Sequence, residues 1–389
     1  MDFYFTYRIY FETSFLLPSD LSKERLQEAV DFVVTTHFGV FLSLIDEEKK
    51  CGYISDEKTR LCLEEMSGDT INSIHEEVIS LCKSDTKNGF RLFWAIDREN
   101  THFLVIHCHH GVADGFMITN FAHSLFCNIT NRANSSVPKF VIEDPVRNEG
   151  SIKYPELWSD SQNVAPPTVY PKRADGDSDE MVNIERVVDA SVVERAQSLA
   201  RGYASIGGNN CVHGMILYCY LRAILFSEAL PRSGSMNINT VVNMRRYLFS
   251  SETSPSVFVS SFPINVSVEG LLSHQENCGT IQRRVTDNLK RGLPLAILLG
   301  KASVPVPEDC VELELSNLGL HPTNCFTRQL ITQVIYNKTE SASISVVSWM
   351  DIEGQMHFCI TSCEKYFNRD RLQAFGDELG HQVFEMSVI

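Results

Sequence analysis

The chain has 389 residues and a formal net charge of −15, with 43% hydrophobic and 21% charged residues. This length suffices for two domains with substantial apolar cores, and the composition excludes wholesale disorder. The acidic balance argues against a nucleic-acid backbone or an anionic membrane surface as partner, because both attract basic surfaces. Twelve cysteines without a CxxC pair predict reduced thiols in a cytoplasmic protein, not a disulfide framework.

The first third of the chain has the pattern of alternating strands and helices. Its first eight residues place Asp2 before any leucine-rich segment and lack a basic start, which favours a strand over a signal peptide. No run of about 18 apolar residues occurs, so no membrane-spanning helix is predicted. The predicted strands are 3–11, 39–45, 90–96 and 102–107, and the predicted helices are 21–37, 71–82 and 116–126.

The character of the chain changes from about residue 128 to 180. Prolines recur there and an acidic run occupies 175–180, which is typical of a linker between two halves. The second half again mixes both kinds of element, so an α/β class is predicted. Its predicted strands are 182–188, 236–242, 257–268, 311–315, 329–336, 341–349 and 355–361, and its predicted helices are 191–201, 211–228, 274–290 and 369–384.

The segment HHGVADG, residues 109–115, concentrates more chemistry than any other. A histidine is suited to exchange a proton near neutral pH. Gly111 lets the backbone turn at the end of the preceding strand, and Asp114 falls where a helix N-terminus would stabilise a carboxylate. Gly115 leaves space beside the backbone. Because side chains alternate along a strand, His109 and His110 point to opposite faces and are expected to have different roles.

On the residues alone, two other interpretations of this cluster stay open. The histidines could be satisfied core residues. Alternatively, His107, His109 and Asp114 could be metal ligands of a hydrolase, since two histidines two apart share one strand face. The segment supplies no clear further ligand. The usual signals of serine hydrolases, NTPases and Rossmann dehydrogenases are missing from the sequence.

HHGVADG resembles the HHxxxDG active-site motif of the CoA-dependent acyltransferase superfamily. That group includes the condensation domains of nonribosomal peptide synthetases, alcohol O-acetyltransferases and chloramphenicol acetyltransferase. Two further segments fit: residues 240–245, TVVNMR, resemble its strand-end N-x-R, and residues 315–319, LSNLG, resemble its SNLG. The DFGWG motif of the plant BAHD branch is absent, which disfavours that branch.

The resemblance implies two chloramphenicol-acetyltransferase-like α/β subdomains arranged in a V with a central active-site tunnel. The N-terminal subdomain would span 1–165 and carry the motif, with the linker at about 128–180, and the C-terminal one would span 180–389. His110 would be the catalytic residue and His109 a buried support. Asp114 would be a structural carboxylate paired with Arg245, and Gly115 would shape the site.

The implied activity is transfer of an acyl group from an acyl-CoA or a carrier-protein phosphopantetheine thioester to an alcohol or amine, as in natural product biosynthesis. His110 would act as general base, without a metal or a permanently bound cofactor. The candidate oxyanion or substrate contacts are Gly115, Ser316 and Asn317. A cytoplasmic monomer is expected, with a carrier protein as a candidate partner. The alternatives are a non-catalytic member, a member repurposed for cyclisation or hydrolysis, and the metal-dependent hydrolase.

Overall fold

A computed structural model gives the structure of the protein. The residues it describes are 9–46, 51–54, 60–84, 87–132, 137–141, 152–158, 164–174, 176, 178–203, 211–249, 253–320, 328–336, 342–351 and 353–388.

Strands and helices alternate along the described chain. The strands are β1 (Ile9–Leu16), β2 (Ser43–Asp46), β3 (Cys51–Ile54), β4 (Leu63–Ser67), β5 (Phe90–Ile96), β6 (His102–His109), β7 (Lys139–Val141), β8 (Met181–Val188), β9 (Ser235–Asn243), β10 (Thr253–Pro255), β11 (Val259–Ser267), β12 (Glu312–Leu320), β13 (Arg328–Tyr336), β14 (Ser343–Met350) and β15 (Met356–Cys363). The helices are α1 (Lys23–Thr36), α2 (Ile71–Ser84), α3 (Gly115–Ile129), α4 (Ala190–Tyr203), α5 (Val212–Ser227), α6 (Val268–Leu272), α7 (Cys278–Arg291), α8 (Leu293–Leu298) and α9 (Arg369–Val388).

The chain divides into two compact units. The first comprises Met1–Ile152, Leu248–Phe258 and Leu320–Lys338. Its main sheet has the strand order β13-β1-β6-β5-β4, in which β4 and β5 are parallel and the other pairs antiparallel. Two segments from the second half of the sequence therefore complete this unit, as β13 in the sheet and as β10 beside β7.

Strand β6 is buried on both faces of this sheet. Leu104, Ile106 and Cys108 join the core formed with α1 and α3, whereas Phe103 and Val105 pack with residues of α2. A strand covered on both faces needs apolar residues at successive positions, which explains the unbroken run that precedes the HHGVADG segment. The end of β6 is thereby held from both sides.

The segment 39–45 differs from its predicted strand. Gly39–Leu42 form a 3-10 turn, and only Ser43–Asp46 are extended. Phe38 and Phe41 are fully buried and stack on each other, and the Phe41 N–H donates to the Phe38 carbonyl. Burying both rings on one side requires a turn, because side chains three apart in a strand point to opposite faces.

The helix predicted over 274–290 also starts later. It begins at Cys278 because Asn277 caps it, accepting from the N–H groups of Gly279 and Thr280. It ends at Gly292, whose φ of 72° lies in the left-handed region. Strand β4 and helix α8 are short elements that the sequence pattern did not predict. The predicted start of the first strand at residue 3 lies outside the described residues.

The second unit comprises Lys153–Tyr247, Val259–Gly319 and Thr339–Ile389. Its six-stranded sheet has the order β11-β9-β12-β14-β15-β8. One face packs against α5, α7 and α9 and carries residues such as Leu313 and Leu315 of β12. The alternate residues of β12, Glu312 and Glu314, therefore lie on the opposite face.

Within the described chain, no helix combines the length and apolar character that crossing a membrane requires. Ten of the cysteines that the structure describes form no disulfide with one another, and nine of these ten are buried.

Candidate functional site

The HHGVADG segment forms a tight turn between β6 and α3. The His109 N–H donates to the Gly89 carbonyl at 2.8 Å. This is the last hydrogen bond between β6 and the segment that leads into β5. The His109 carbonyl then accepts from the N–H groups of Val112 at 2.8 Å and Ala113 at 3.4 Å. Strand, turn and helix are thus joined within seven residues, as the position of the glycines predicts.

His110 occupies the first position of the turn. The residue as a whole is partly exposed, but its ring nitrogen Nδ1 is buried, and the ring meets the edge of the Phe11 ring with centroids 5.6 Å apart. Burial lowers the pKa of His110, and a hydrogen bond with its own backbone and the negative charge of Asp114 only partly offset this effect. His110 is therefore neutral at pH 7, the state in which an imidazole can accept a proton.

His109 points to the other side of the strand and is buried, with 1% of its surface exposed. Its Nδ1 accepts a hydrogen bond from the Gly111 N–H at 2.9 Å. An accepting Nδ1 carries no proton, so the neutral ring has its proton on Nε2. The Tyr10 ring packs edge-on against His109 at 4.8 Å. His109 thus stabilises the turn that presents His110.

Asp114 is also 1% exposed and uses both carboxylate oxygens to accept backbone N–H groups. Oδ1 accepts from Met117 at 3.0 Å, which makes Asp114 the N-cap of α3. Oδ2 accepts from Phe258 at 3.1 Å. Asp114 therefore fixes the start of the helix and ties the segment Leu248–Phe258 to it, which is a structural task.

Removing the Asp114 carboxylate should therefore lower the free energy of unfolding more than the loss of an ordinary helix cap does. For Asp114→Ala we expect the free energy of unfolding to fall by about 2–4 kcal/mol, since the cap and the buried Phe258 N–H both lose their acceptor. Ser22→Ala is the matched control, because Ser22 caps α1 through the Arg25 N–H alone, and it should cost about 1 kcal/mol. Urea unfolding of both variants measures the difference. Equal losses would contradict the double role of Asp114.

Gly115 is the first residue of α3, and its carbonyl accepts from the Thr119 hydroxyl at 2.9 Å. Its N–H lies in the first turn of the helix, where backbone donors have no partner within the helix. This placement is compatible with the prediction that Gly115 helps to stabilise an oxyanion.

The N-x-R segment lies in the second unit, where β9 ends. Asn243 closes the turn after the strand, because its Oδ1 accepts from the Arg245 N–H at 3.0 Å and from Arg245 Nη1 at 3.3 Å. Residues Met244–Tyr247 form a 3-10 turn. Asn243 thus orients the guanidinium of Arg245. The pairing of Arg245 with Asp114 stays a prediction.

Ser316 and Asn317 lie on β12 of the second unit. The Asn317 Oδ1 accepts from the Gly319 N–H at 2.9 Å, and its Nδ2 lies 3.4 Å from Nδ1 of His213. His213 in turn contacts the Thr240 hydroxyl through Nε2 at 2.7 Å. Burial lowers the pKa of His213 to about 4, so its ring is neutral at pH 7. The sequence did not single out His213, because a lone histidine at a helix start carries no pattern.

A second group lies in the first unit, and of its members the sequence analysis named only His107. Glu12 of β1 is fully buried, and its two oxygens bond Nδ1 of His75 at 2.7 Å and Nδ1 of His107 at 2.8 Å. Nε2 of His75 contacts the Ser14 hydroxyl at 3.2 Å. Burial by itself would raise the pKa of Glu12, but the hydrogen bonds and charges of the two histidines outweigh it and lower the pKa. The one available signal was that Glu12 is the single charged residue in β1.

The candidate metal ligands do not converge. Nδ1 of His107 is bonded to Glu12, Nδ1 of His109 accepts the Gly111 N–H, and the Asp114 oxygens accept backbone N–H groups. Among the described residues, no three histidine, cysteine, aspartate or glutamate side chains form a group that could hold a metal ion.

Solved structures with the same fold cover nearly the whole chain. A trichothecene 15-O-acetyltransferase from Fusarium sporotrichioides superposes with a TM-score of 0.68 at 13% identity, covering 99% of this chain and 92% of its own. The first condensation domain of the calcium-dependent antibiotic synthetase gives 0.65 at 14% identity, covering 98% and 92%. The epimerization domain of the third module of tyrocidine synthetase B gives 0.65 at 11%, covering 100% and 93%.

The sequence itself matches no protein-family model and no curated protein. The fold of this chain is therefore that of condensation domains and of this acetyltransferase, and the α/β architecture expected from the HHxxxDG resemblance is confirmed at the level of the fold.

Proposed function

We propose that this protein is an acyltransferase that moves an acyl group from a thioester donor to an alcohol or amine acceptor, with His110 as general base. The observation that carries the proposal is the state of His110. It is partly exposed and neutral, and it is presented by a turn that His109 and Asp114 hold in place. The shared fold with an acetyltransferase and a condensation domain supports the same class of reaction.

The proposed reaction needs one base and no covalent enzyme intermediate. His110 removes the proton of the acceptor hydroxyl or amine as the acceptor attacks the thioester carbonyl, so that a tetrahedral oxyanion forms. The C–S bond then breaks, and the protonated His110 gives its proton to the departing thiolate. The Gly115 N–H at the start of α3 is a candidate donor to the oxyanion. Ser316 and Asn317 are further candidates from the resemblance.

The donor is proposed to be acyl-CoA or a thioester on a carrier protein, bound as a co-substrate. The synthetase domains that share the fold support the carrier protein as a partner. Comparing an acyl-CoA with the same acyl group on a carrier protein, at equal concentrations, distinguishes the two donors through the ratio of their kcat/KM values.

A different base-catalysed reaction is the second candidate, because the same fold also belongs to an epimerization domain. Incubating the protein with a thioester and a panel of alcohols and amines, followed by mass spectrometry, distinguishes the candidates. Transfer yields an acylated acceptor, hydrolysis yields the free acid, cyclisation loses water or the thiol without acceptor, and epimerisation leaves the mass unchanged. A protein that only binds gives no product. Any outcome other than the acylated acceptor contradicts the proposal.

The pH dependence of the reaction follows from the lowered pKa of His110. Only the neutral imidazole accepts a proton, so kcat/KM should rise with pH through the His110 pKa and then stay level. Because that pKa lies below the ordinary value of 6.5, the protein should keep more than half of its maximal activity at pH 6.5. A pH profile of kcat/KM with an acceptor alcohol measures this. Half-maximal activity above pH 7 would contradict the proposed state of His110.

A further inference from the structure

Strand β1 lies beside the end of β6 and contacts both histidines of the HHGVADG segment. Tyr10 pairs with His109 across the two strands, and its ring meets the His109 ring edge-on at 4.8 Å. The next residue, Phe11, points to the opposite face of the sheet, where its ring meets the His110 ring at 5.6 Å. The packing around the proposed base and around the ring that supports its turn therefore depends on where β1 lies.

Glu12 ties β1 to its neighbours on the face that carries Tyr10. Its Oε1 accepts from Nδ1 of His107 on β6 at 2.8 Å, and its Oε2 accepts from Nδ1 of His75 on α2 at 2.7 Å. An ionised carboxylate can only accept hydrogen bonds, so both rings carry a proton on Nδ1. One carboxylate thus sets the orientation and the protonated nitrogen of two buried rings.

The ring of His107 transmits this constraint to Tyr10, because the two rings stack at 5.3 Å with an angle of 26° between their planes. Tyr10 packs in turn against His109, whose Nδ1 accepts the Gly111 N–H within the turn. The four side chains from Glu12 to His109 are all buried. In a close-packed interior, none of them can move without displacing the next.

The contribution of Glu12 to the site is one of geometry and not of charge. The negative charge that acts on the pKa of His110 is that of Asp114. A buried carboxylate with two donors also adds little net stability over an apolar group of the same volume, but it fixes one arrangement of its partners. That arrangement includes the two rings that pack against the turn.

We propose that Glu12 is a positioning residue for His110. It acts through His107 and Tyr10, which hold β1 and the turn so that the imidazole keeps one orientation. The inference rests on the acyl transfer proposed above. A misplacement of a catalytic group by about 1 Å can lower a rate about 100-fold, so a side chain that does not touch the substrate can still govern kcat.

Glu12→Ala should lower kcat for acyl transfer at least about tenfold more than an equally destabilising change elsewhere in the first unit. Phe103→Ala is that matched control, because Phe103 is a buried ring on the same face of β6, at its other end. Rates are measured in buffer in which both variants are folded. The KM of the thioester should stay within about threefold of the wild-type value, since only the reacting geometry changes.

Glu12→Gln should restore the rate to within about threefold of the wild-type kcat, because its amide can replace both hydrogen bonds of the carboxylate. Its oxygen accepts from His107, and its nitrogen donates to His75 once that ring carries its proton on Nε2, next to the Ser14 hydroxyl. Tyr10→Leu leaves Glu12 in place but removes the ring that transmits the constraint. It should lower kcat at least about tenfold, and it tests the proposal if Glu12→Ala fails to fold.

NMR titration of the His110 ring supplies a measurement that needs no activity, with the signal assigned by its loss in His110→Ala. In Glu12→Ala and Tyr10→Leu the ring should be better hydrated, so its pKa should rise toward the ordinary 6.5, whereas Phe103→Ala and Glu12→Gln should keep the wild-type value. Equal losses of kcat in Glu12→Ala and Phe103→Ala would overturn the proposal. An unchanged titration in both Glu12→Ala and Tyr10→Leu would also overturn it. A wild-type chain without acyl transfer would refute the proposed reaction, and the titration would then decide the positioning role alone.

Discussion

Replacing His110 with alanine is expected to lower kcat/KM for acyl transfer by about 10²–10⁴-fold, the range that a general base contributes. The ring is the proposed acceptor of the substrate proton, and no solvent molecule takes up that proton as efficiently. The KM of the thioester should change little, since His110 acts on the reacting atoms and not on the body of the donor. Initial rates of thiol release with a fixed alcohol or amine measure the loss.

Two controls separate this effect from damage to the fold. His381→Ala removes a histidine that is 55% exposed on α9 and should leave the rate unchanged. The urea midpoint of the His110→Ala variant should differ from that of the wild-type protein by no more than the loss of one partly exposed side chain explains. A folded His110→Ala variant that keeps more than a tenth of the wild-type kcat/KM would contradict the role of His110.

Replacing Glu12 with alanine is expected to destabilise the first unit as much as truncating a large buried aromatic side chain does. The free energy of unfolding should fall by about 3–5 kcal/mol, because the two histidines bonded to Glu12 lose their common acceptor inside the protein. Urea unfolding followed by tryptophan fluorescence measures it. Glu65→Ala is the matched control, since Glu65 is an exposed glutamate paired with Lys23 and should cost less than about 1 kcal/mol.

From the lowered pKa of Glu12 we also expect acid to destabilise the folded protein. The pKa of this carboxylate is lower in the folded protein than its ordinary value of 4.5. A group of this kind stabilises the folded state fully above the unfolded pKa, and the contribution is lost as the pH falls through the folded pKa. The wild-type protein should therefore lose stability below about pH 4.5 more steeply than Glu12→Gln. Parallel pH curves for the two proteins would contradict the ionised state of Glu12.

The turn that carries His110 could be predicted from the sequence because its signals are local. An apolar run, two glycines and an aspartate at a helix start lie within about a dozen residues, and each has a direct physical meaning. The structure has β6 ending at His109 and α3 starting at Gly115. The different environments of His109 and His110 likewise follow from strand alternation alone.

The long-range contacts of the first unit could not be predicted, because they join residues far apart in the chain. Glu12 meets His75 and His107 across 63 and 95 positions, and Asp114 meets Phe258 across 144. Likewise, the pairing of β1 with β13 brings a strand from the second half of the sequence into the first unit. Neither periodicity nor composition encodes which distant strand becomes a neighbour.

The central claim is tested most directly by measuring thiol release from an acyl-CoA together with the mass of the product, with and without an acceptor alcohol or amine. Transfer with His110 as base predicts thiol release that requires the acceptor, equals the acylated acceptor in amount, and is lost in His110→Ala. Thiol release that proceeds equally without acceptor, or equally in His110→Ala, would contradict the account.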